Sequence, residues 1–279
     1  MKIGLIDIDG KMPILPLMKI KTFYREQADW LKGFESYDKV YISKLFNFSK
    51  DFPYVINSKE IIKGGTGYDI KIKLPDEIEK CQPDYSIYPN CDYSIQFFSR
   101  GCIRNCPFCV VREKEGNICP VEPMNLNPNG KHIEVFDNNF FANPNWKEAI
   151  NTLIDYKQKV NFHGVDVRIM TEEQAYWLNQ LKHHKQIHIA WDNPKDNIIP
   201  RIQEMIKYIK PYKIMCYVLI GYWSTHEEDI YRIEKLKELK IDPYVMPFDK
   251  NDIRQKRLAR WVNNKIIFKK CNKFEDYIP

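Results

Sequence analysis

Arg100-Gly101-Cys102-Ile103-Arg104-Asn105-Cys106-Pro107-Phe108-Cys109 places three thiols within eight residues, at intervals of four and three. A fold built around this stretch must bring all three to one point, and thiols this closely spaced read as a metal-cluster loop. C-x3-C-x2-C supplies one ligand fewer than the four that close a structural zinc site or a fully ligated cubane. Either a distant ligand completes the set, with Cys119, Cys91 and His132 as candidates, or one metal position stays open. Pro107 and Phe108 favour a tight turn at the start of a helix, and Arg104 with the local amides would offset the charge of a cluster.

Outward from this loop the pattern is regular. Ser94–Phe98 reads as a strand running straight into it, and His132–Phe136 as the next strand, ending at Asp137-Asn138-Asn139. Asn143-Pro144 supplies an N-cap and first helical residue, ahead of an apolar face at Trp146, Ala149, Ile150, Leu153 and Ile154. A strand near Val160–Val167 ends at Arg168, and Thr171 with Gln174 forms a capping box. Ile187–Trp191 and Ile214–Ile220 continue the strands. Each is followed by a helix, the second capped by Thr225 and Glu228, with Ile230, Ile233, Leu236 and Leu239 facing inward. Asp242–Pro247 is the sixth strand. Six such alternations predict an α/β fold, a parallel sheet or partial (β/α)6 barrel, with sites at the carboxyl ends of the strands. The cysteine loop, Asp137, Asn138, Arg168, Asp192 and Gly221 all fall at such ends.

Upstream, Lys2–Asp7 reads as a buried strand, Pro16–Trp30 as a helix and Lys39–Ile42 as a second strand, a small Rossmann-like beginning without the G-x-G-x-x-G fingerprint. Gly64-Gly65-Thr66-Gly67 lacks the Lys-Ser/Thr of a P-loop and reads as a structural turn. Leu74–Asn90, with three prolines, is an irregular connector. The expected organisation is therefore 1–90 as an N-terminal α/β domain, 91–248 as the barrel core and 249–279 as a basic extension.

Composition narrows the class. A chain of 279 residues buries a core without disulfide staples, so its eight irregularly spaced cysteines are not the framework of a small secreted domain. The start has too few apolar residues for a signal peptide, and no run approaches the ~20 needed to span a bilayer. A cytoplasmic location is expected, where clustered thiols bind metal or do chemistry. The net charge of +6 equals the surplus from Lys250 to the end, where nine Lys/Arg face three Asp/Glu. Any nucleic acid or acidic partner should be sought there, although such runs are more often solvated helix faces. His183-His184 reads as a solvated pair near a Lys-rich helix end, and His163 and His226 as lone candidates for acid–base groups.

The cysteine spacing, Phe108 just before the third thiol, the strand ahead and the five strand–helix units behind resemble the radical S-adenosylmethionine (radical SAM) superfamily, over roughly Tyr93–Pro247. The resemblance implies that Cys102, Cys106 and Cys109 hold a [4Fe–4S] cluster whose fourth iron is chelated by S-adenosylmethionine. One electron, from a donor such as flavodoxin or ferredoxin, would cleave the sulfonium to a 5′-deoxyadenosyl radical that abstracts hydrogen from an unidentified substrate. It places Phe108 beside the adenine. Asp137-Asn138-Asn139 stands where the family often has Gly-Gly-Glu for the methionyl amine, and Asp166, Arg168 and Asp192 are candidates for the carboxylate and ribose. The N-terminal part is similar to the degenerate cobalamin-binding domain of some relatives. The usual axial-histidine motif is absent, since the first histidine is His132, which argues for a vestigial structural role. Alternatives are a nucleic-acid-binding protein with a structural Fe–S or zinc site and a cobalamin-dependent radical SAM methyltransferase.

Overall fold

A computed structural model describes residues 1–278 and shows a mixed α/β chain whose principal sheets are parallel. It divides into two compact units. One comprises Met1–Phe97, Arg104–Asn117 and Glu122–Lys131; the other comprises Phe98–Ile103, Ile118–Val121 and the chain from His132 onward.

In the first unit β1 (Ile3–Asp7), β2 (Ala28–Trp30), β3 (Tyr37–Ser43) and β4 (Ser58–Gly64) form a parallel sheet in the order β2-β1-β3-β4. The run of apolar residues in β1 and β3 explains their central position, because strands covered on both faces bury every side chain. Ile3, Leu5 and Val40 are essentially inaccessible, as are Leu17 and Met18 of helix α1 (Leu15–Tyr24). This helix is shorter than the expected Pro16–Trp30. It ends at Arg25, whose φ of 53° breaks the helical path, and Trp30 lies in β2 with its indole N–H donated to the Ile87 carbonyl. Glycine is needed at Gly65 and Gly67, since a Cβ there would fall 2.4 Å from the Lys44 carbonyl oxygen and 2.7 Å from that of Phe46. The glycine-rich loop is thus a turn packed on the end of β3. Short helix α2 (Asp76–Glu79) interrupts the connector, and β5 (Tyr93–Gln96) and helix α3 (Val111–Glu115) complete the unit.

The second unit opens with β6 (Ser99–Arg100), paired antiparallel with β7 (Cys119–Pro120). Strands then alternate with helices: β8 (His132–Val135), α4 (Trp146–Asp155), β9 (Lys159–Phe162), α5 (Glu172–Gln180), β10 (Ile187–Ala190), α6 (Ile199–Met205), β11 (Ile214–Ile220), α7 (His226–Glu238), β12 (Asp242–Pro247), α8 (Ile253–Asn263) and α9 (Lys265–Lys270). β8 and β9 are parallel neighbours, and β10-β11-β12 form a parallel three-stranded sheet. No closed barrel is seen among the described residues; beside β9 the chain makes only an isolated bridge from Val160 to His183.

Both expected capping boxes are present, at Thr171/Gln174 and Thr225/Glu228. Other readings in this unit differ from expectation. α4 starts at Trp146, two residues after the expected Pro144: Asn143 Oδ1 accepts the Asn145 N–H at 3.0 Å as a cap would, but the Asn143 carbonyl accepts the Trp146 N–H at 3.1 Å and a turn precedes the helix. β9 stops at Phe162, and Asp166 caps a 3-10 turn instead of ending a strand. The buried stripe of α7 is Asp229, Arg232, Ile233 and Leu236, so it includes an ion pair, while Ile230 and Leu239 are half-buried. The basic segment is folded into this unit: Leu258, Trp261 and Val262 of α8 are buried, with Phe268 and Phe274 packed on the Trp261 ring. No helix among the described residues is long and apolar enough to cross a membrane.

Candidate cluster loop and strand-end residues

The leg leading into the cysteines is fixed from the end of β8. Asp137, buried, accepts the Phe98 N–H at 2.9 Å and the Ser99 hydroxyl at 2.5 Å. Asn143 donates to the Phe98 carbonyl at 2.9 Å, and Asn138 reaches the Gly101 carbonyl at 3.4 Å. Gly101 adopts a φ of 78°, in the left-handed region that glycine tolerates, and turns the chain out of β6. Burial pushes the Asp137 carboxyl up to about 6, against the lowering effect of its hydrogen bonds and of Arg100. Gly164 presses against the same turn: a Cβ there would lie 2.2 Å from the Asp137 carbonyl oxygen, so a side chain has no room.

Cys102 is half-buried on this leg. The boundary between the two units falls directly after Ile103, so Cys106 and Cys109 belong to the first unit. There the Cys109 N–H donates to the Cys106 carbonyl at 2.9 Å, closing a tight turn around Pro107 and a partly exposed Phe108. α3 begins only at Val111, two residues beyond the third thiol, so the loop itself is not helical. None of the eight cysteines is in a disulfide. Among the described residues no group of three or more His, Cys, Asp or Glu is placed to hold a metal ion. The other thiols have local partners: Cys91 is buried and bonded to the Tyr93 carbonyl, and burial raises its proton affinity, as it does more strongly for Cys216.

The strand-end candidates separate into two groups. Asp137 and Asn138 serve the leading leg. Asp166 and Arg168 pair through Nε at 2.7 Å and Nη2 at 3.1 Å, with Asp196 taking Nη1 at 3.2 Å and Asn139 donating to Asp166 at 3.1 Å. Burial disfavours the Arg168 charge, but Asp166 and Asp196 outweigh it and hold the proton more tightly than usual. Asp192 is half-buried, and burial raises its proton affinity against the pull of Arg168 and Arg232. Its Oδ1 and the Oδ1 of buried Asn139 lack protein partners.

Several participants escaped the sequence reading. Ser99 and Asp196 carry no motif, and Asn143 reads only as a helix cap. Arg232, fully buried, donates to the carbonyls of Trp191, Asp192 and Leu219, to Ser224 Oγ and to Asp229, tying the ends of β10 and β11 together. His183 is also not a solvated helix end: α5 closes at Gln180, and His183 is half-buried beside β9 with its Nε2 2.9 Å from the Leu178 carbonyl oxygen.

At the sheet of the first unit, the order of strand addition reverses between the parallel strands β1 and β3, the position where open parallel sheets take ligands. Here Asp7 accepts the N–H groups of Asp9 and Gly10 and the Tyr88 hydroxyl, while Asp9 accepts the Leu45 N–H and the Ser49 hydroxyl. The acceptors at this switch point are used by the chain itself. Compared with family models and with curated proteins, the sequence matches none.

Proposed function

We propose that this chain is a radical S-adenosylmethionine enzyme. The observation that carries the reading is the C-x3-C-x2-C loop, its thiols in no disulfide, standing ahead of an alternation of parallel strands and helices from β8 to β12. The donor chemistry fits an iron–sulfur cluster: three thiols, partly or fully exposed, with no fourth ligand in the loop. Cys102, Cys106 and Cys109 would hold a [4Fe–4S] cluster, leaving one iron for the amino and carboxylate groups of S-adenosylmethionine. Bound there, the cluster supplies the electron for reductive cleavage of S-adenosylmethionine and so for hydrogen abstraction from a substrate.

The chain's own part is positioning. Asp137 and Asn138 fix the peptide leading into Cys102. Arg168, oriented by Asp166 and Asp196, offers a charged guanidinium, and Asp192 and Asn139 offer unpartnered oxygens to a polar cofactor. The proposal includes no cobalamin, because the switch-point acceptors of the first unit are occupied internally and that unit contains no histidine.

Anaerobic reconstitution with iron and sulfide, reduction, and assay for 5′-deoxyadenosine test the reading. Product in the wild type and its loss in a folded Cys106→Ala variant are expected; a fully loaded protein that makes none would sink it. A second reading concerns partners. Arg254, Lys256, Arg260, Lys269, Lys270 and Lys273 are exposed and form no ion pair among the described residues, which favours nucleic acid as a ligand of the C-terminal segment.

A further inference from the structure

β8 and β9 are neighbours with Glu134 opposite Asn161. A charged residue in the middle of a covered strand is costly unless its charge is fully hydrogen-bonded. Glu134, only 6% exposed, meets that condition: it accepts from Asn161 Nδ2 at 2.6 Å, His163 Nε2 at 2.6 Å and His132 Nε2 at 2.9 Å. Burial pushes its carboxyl up, but these hydrogen bonds outweigh burial and hold it down at about 2.

An ionised carboxylate only accepts, so the hydrogen of a neutral His163 sits on Nε2 and its Nδ1 carries the lone pair. The ring is fixed a second time by lying flat on Phe136, with centroids 4.3 Å apart and planes 4° from parallel. A histidine kept only for packing would be closed off. The His163 side chain is instead 39% exposed, and its Nδ1 has no hydrogen-bond partner among the described residues. Beside it Asn161 is 2% exposed, yet its Oδ1 has no partner. Of the two acceptors only the one on His163 belongs to a side chain open to solvent, since Asn161 Oδ1 is buried. The remaining titratable neighbours are His188 on β10, whose proton affinity is lowered by burial and by His163, and His184, which stacks on His132.

We infer that Glu134 and His163 form a proton-accepting site, distinct from the cysteine loop, for a ligand that presents an O–H or N–H group to His163 Nδ1. The ligand's O–H or N–H bond breaks, its electron pair stays on the ligand, and a new N–H bond forms at Nδ1. The resulting imidazolium is neutralised by Glu134. The inference stands on the second unit alone and does not depend on a cluster.

Nitrogen-15 NMR of the imidazoles, assigned with His163→Gln, tests it. When neutral, His163 should be the Nε2–H tautomer, and Glu134→Gln should move part of the population to the Nδ1–H form. Diethyl pyrocarbonate, which needs an accessible lone pair, should label His163 in the wild type, with exposed His184 as the internal standard. The Nδ1–H tautomer in the wild type, a tautomer ratio unmoved by Glu134→Gln, or labelling of His184 without His163 would each overturn the proposal. Tautomer and labelling are read on the unaltered protein, so they decide the matter even where Glu134→Gln fails to fold.

Discussion

Asp137 holds the backbone N–H of Phe98 at 2.9 Å, so the last turn of one strand fixes the peptide that leads into the first cysteine. The cysteine leg is thereby tied to an acid in a poorly solvated place. The folded carboxyl titrates near 6 against an ordinary 3.8, so the native state binds the proton more tightly than the unfolded chain does. Its contribution is complete below about pH 4 and is lost as pH rises through about 6, a change on the order of 3 kcal/mol for two units. Asp137→Asn keeps an acceptor for Phe98 and removes this titration. Urea midpoints of the two proteins from pH 3 to 8 should diverge between about 4 and 6, wild type falling relative to the variant, and run parallel outside that window. Asp137→Ala should instead lower iron retention after reconstitution, because the leg loses its bonds from Phe98 N–H and Ser99 to that carboxylate and keeps only those from Asn143 and Asn138.

Glu134 gives the opposite pH dependence. Its folded value, about 2, lies below the ordinary 4.5, so its stabilisation is complete above about pH 4.5 and is lost as pH falls toward 2. Removing the charge while the histidines remain leaves a buried group of donors short of an acceptor. Glu134→Gln should cost on the order of 2 to 3 kcal/mol at pH 7 and almost nothing at pH 2. Chemical denaturation at the two pH values checks this, and an equal cost at both would exclude an ionised Glu134.

The strand–helix rhythm was legible because apolar alternation and the Thr171 and Thr225 capping boxes are local signals. The three thiols were legible because their spacing is a motif in itself. The polar scaffolding was not, because its members are single residues joined only by folding: Asp137 meets Phe98 across thirty-nine positions, and Asn161 meets Glu134 across twenty-seven. One cue was available. His132 and Glu134, like Asn161 and His163, are polar residues two apart in apolar strands, which puts each pair on one face. The late start of α4 is a local matter: Asn143 fits a cap by type and its Oδ1 accepts the Asn145 N–H, but a turn closed by the Trp146 N–H precedes the helix. Arg232 read as one charge among many on α7, and only the fold shows its guanidinium joining two strand ends.

That guanidinium sets a third expectation. Arg232 is fully buried and satisfies three carbonyls, a hydroxyl and a carboxylate at once. Arg232→Ala leaves Asp229 charged and unpaired in the interior and should cost about 3 to 5 kcal/mol. Lysine cannot reproduce the planar fork, so Arg232→Lys should recover only part of the loss. The double variant Asp229→Asn/Arg232→Met removes both charges and should be more stable than Arg232→Ala. Denaturant midpoints for the series decide it, and a double variant no better than the single would mean that the carbonyls dominate over the ion pair.

The basic C-terminal segment calls for charge neutralisation, because deletion would remove Trp261, Phe268 and Phe274 from the second unit's core and unfold what it meant to probe. The exposed cations, by contrast, can be changed without touching packing. Lys256 and Arg260 lie one helical turn apart on the open side of α8, and Lys269, Lys270 and Lys273 follow on and just beyond α9. If these residues neutralise phosphates, binding of a fluorescent single-stranded oligonucleotide should weaken steeply with salt, at a logarithmic slope of about 0.7 per contact. Replacing Arg254, Lys256, Arg260, Lys269, Lys270 and Lys273 by glutamine should reduce that slope by about 4, given six contacts, and weaken binding by the same proportion for every sequence tested. Anisotropy titrations at several salt concentrations, with the thermal midpoint as a folding control, separate the outcomes. A slope unchanged by the six replacements would assign any oligonucleotide binding to another surface and leave these cations as solvated helix faces.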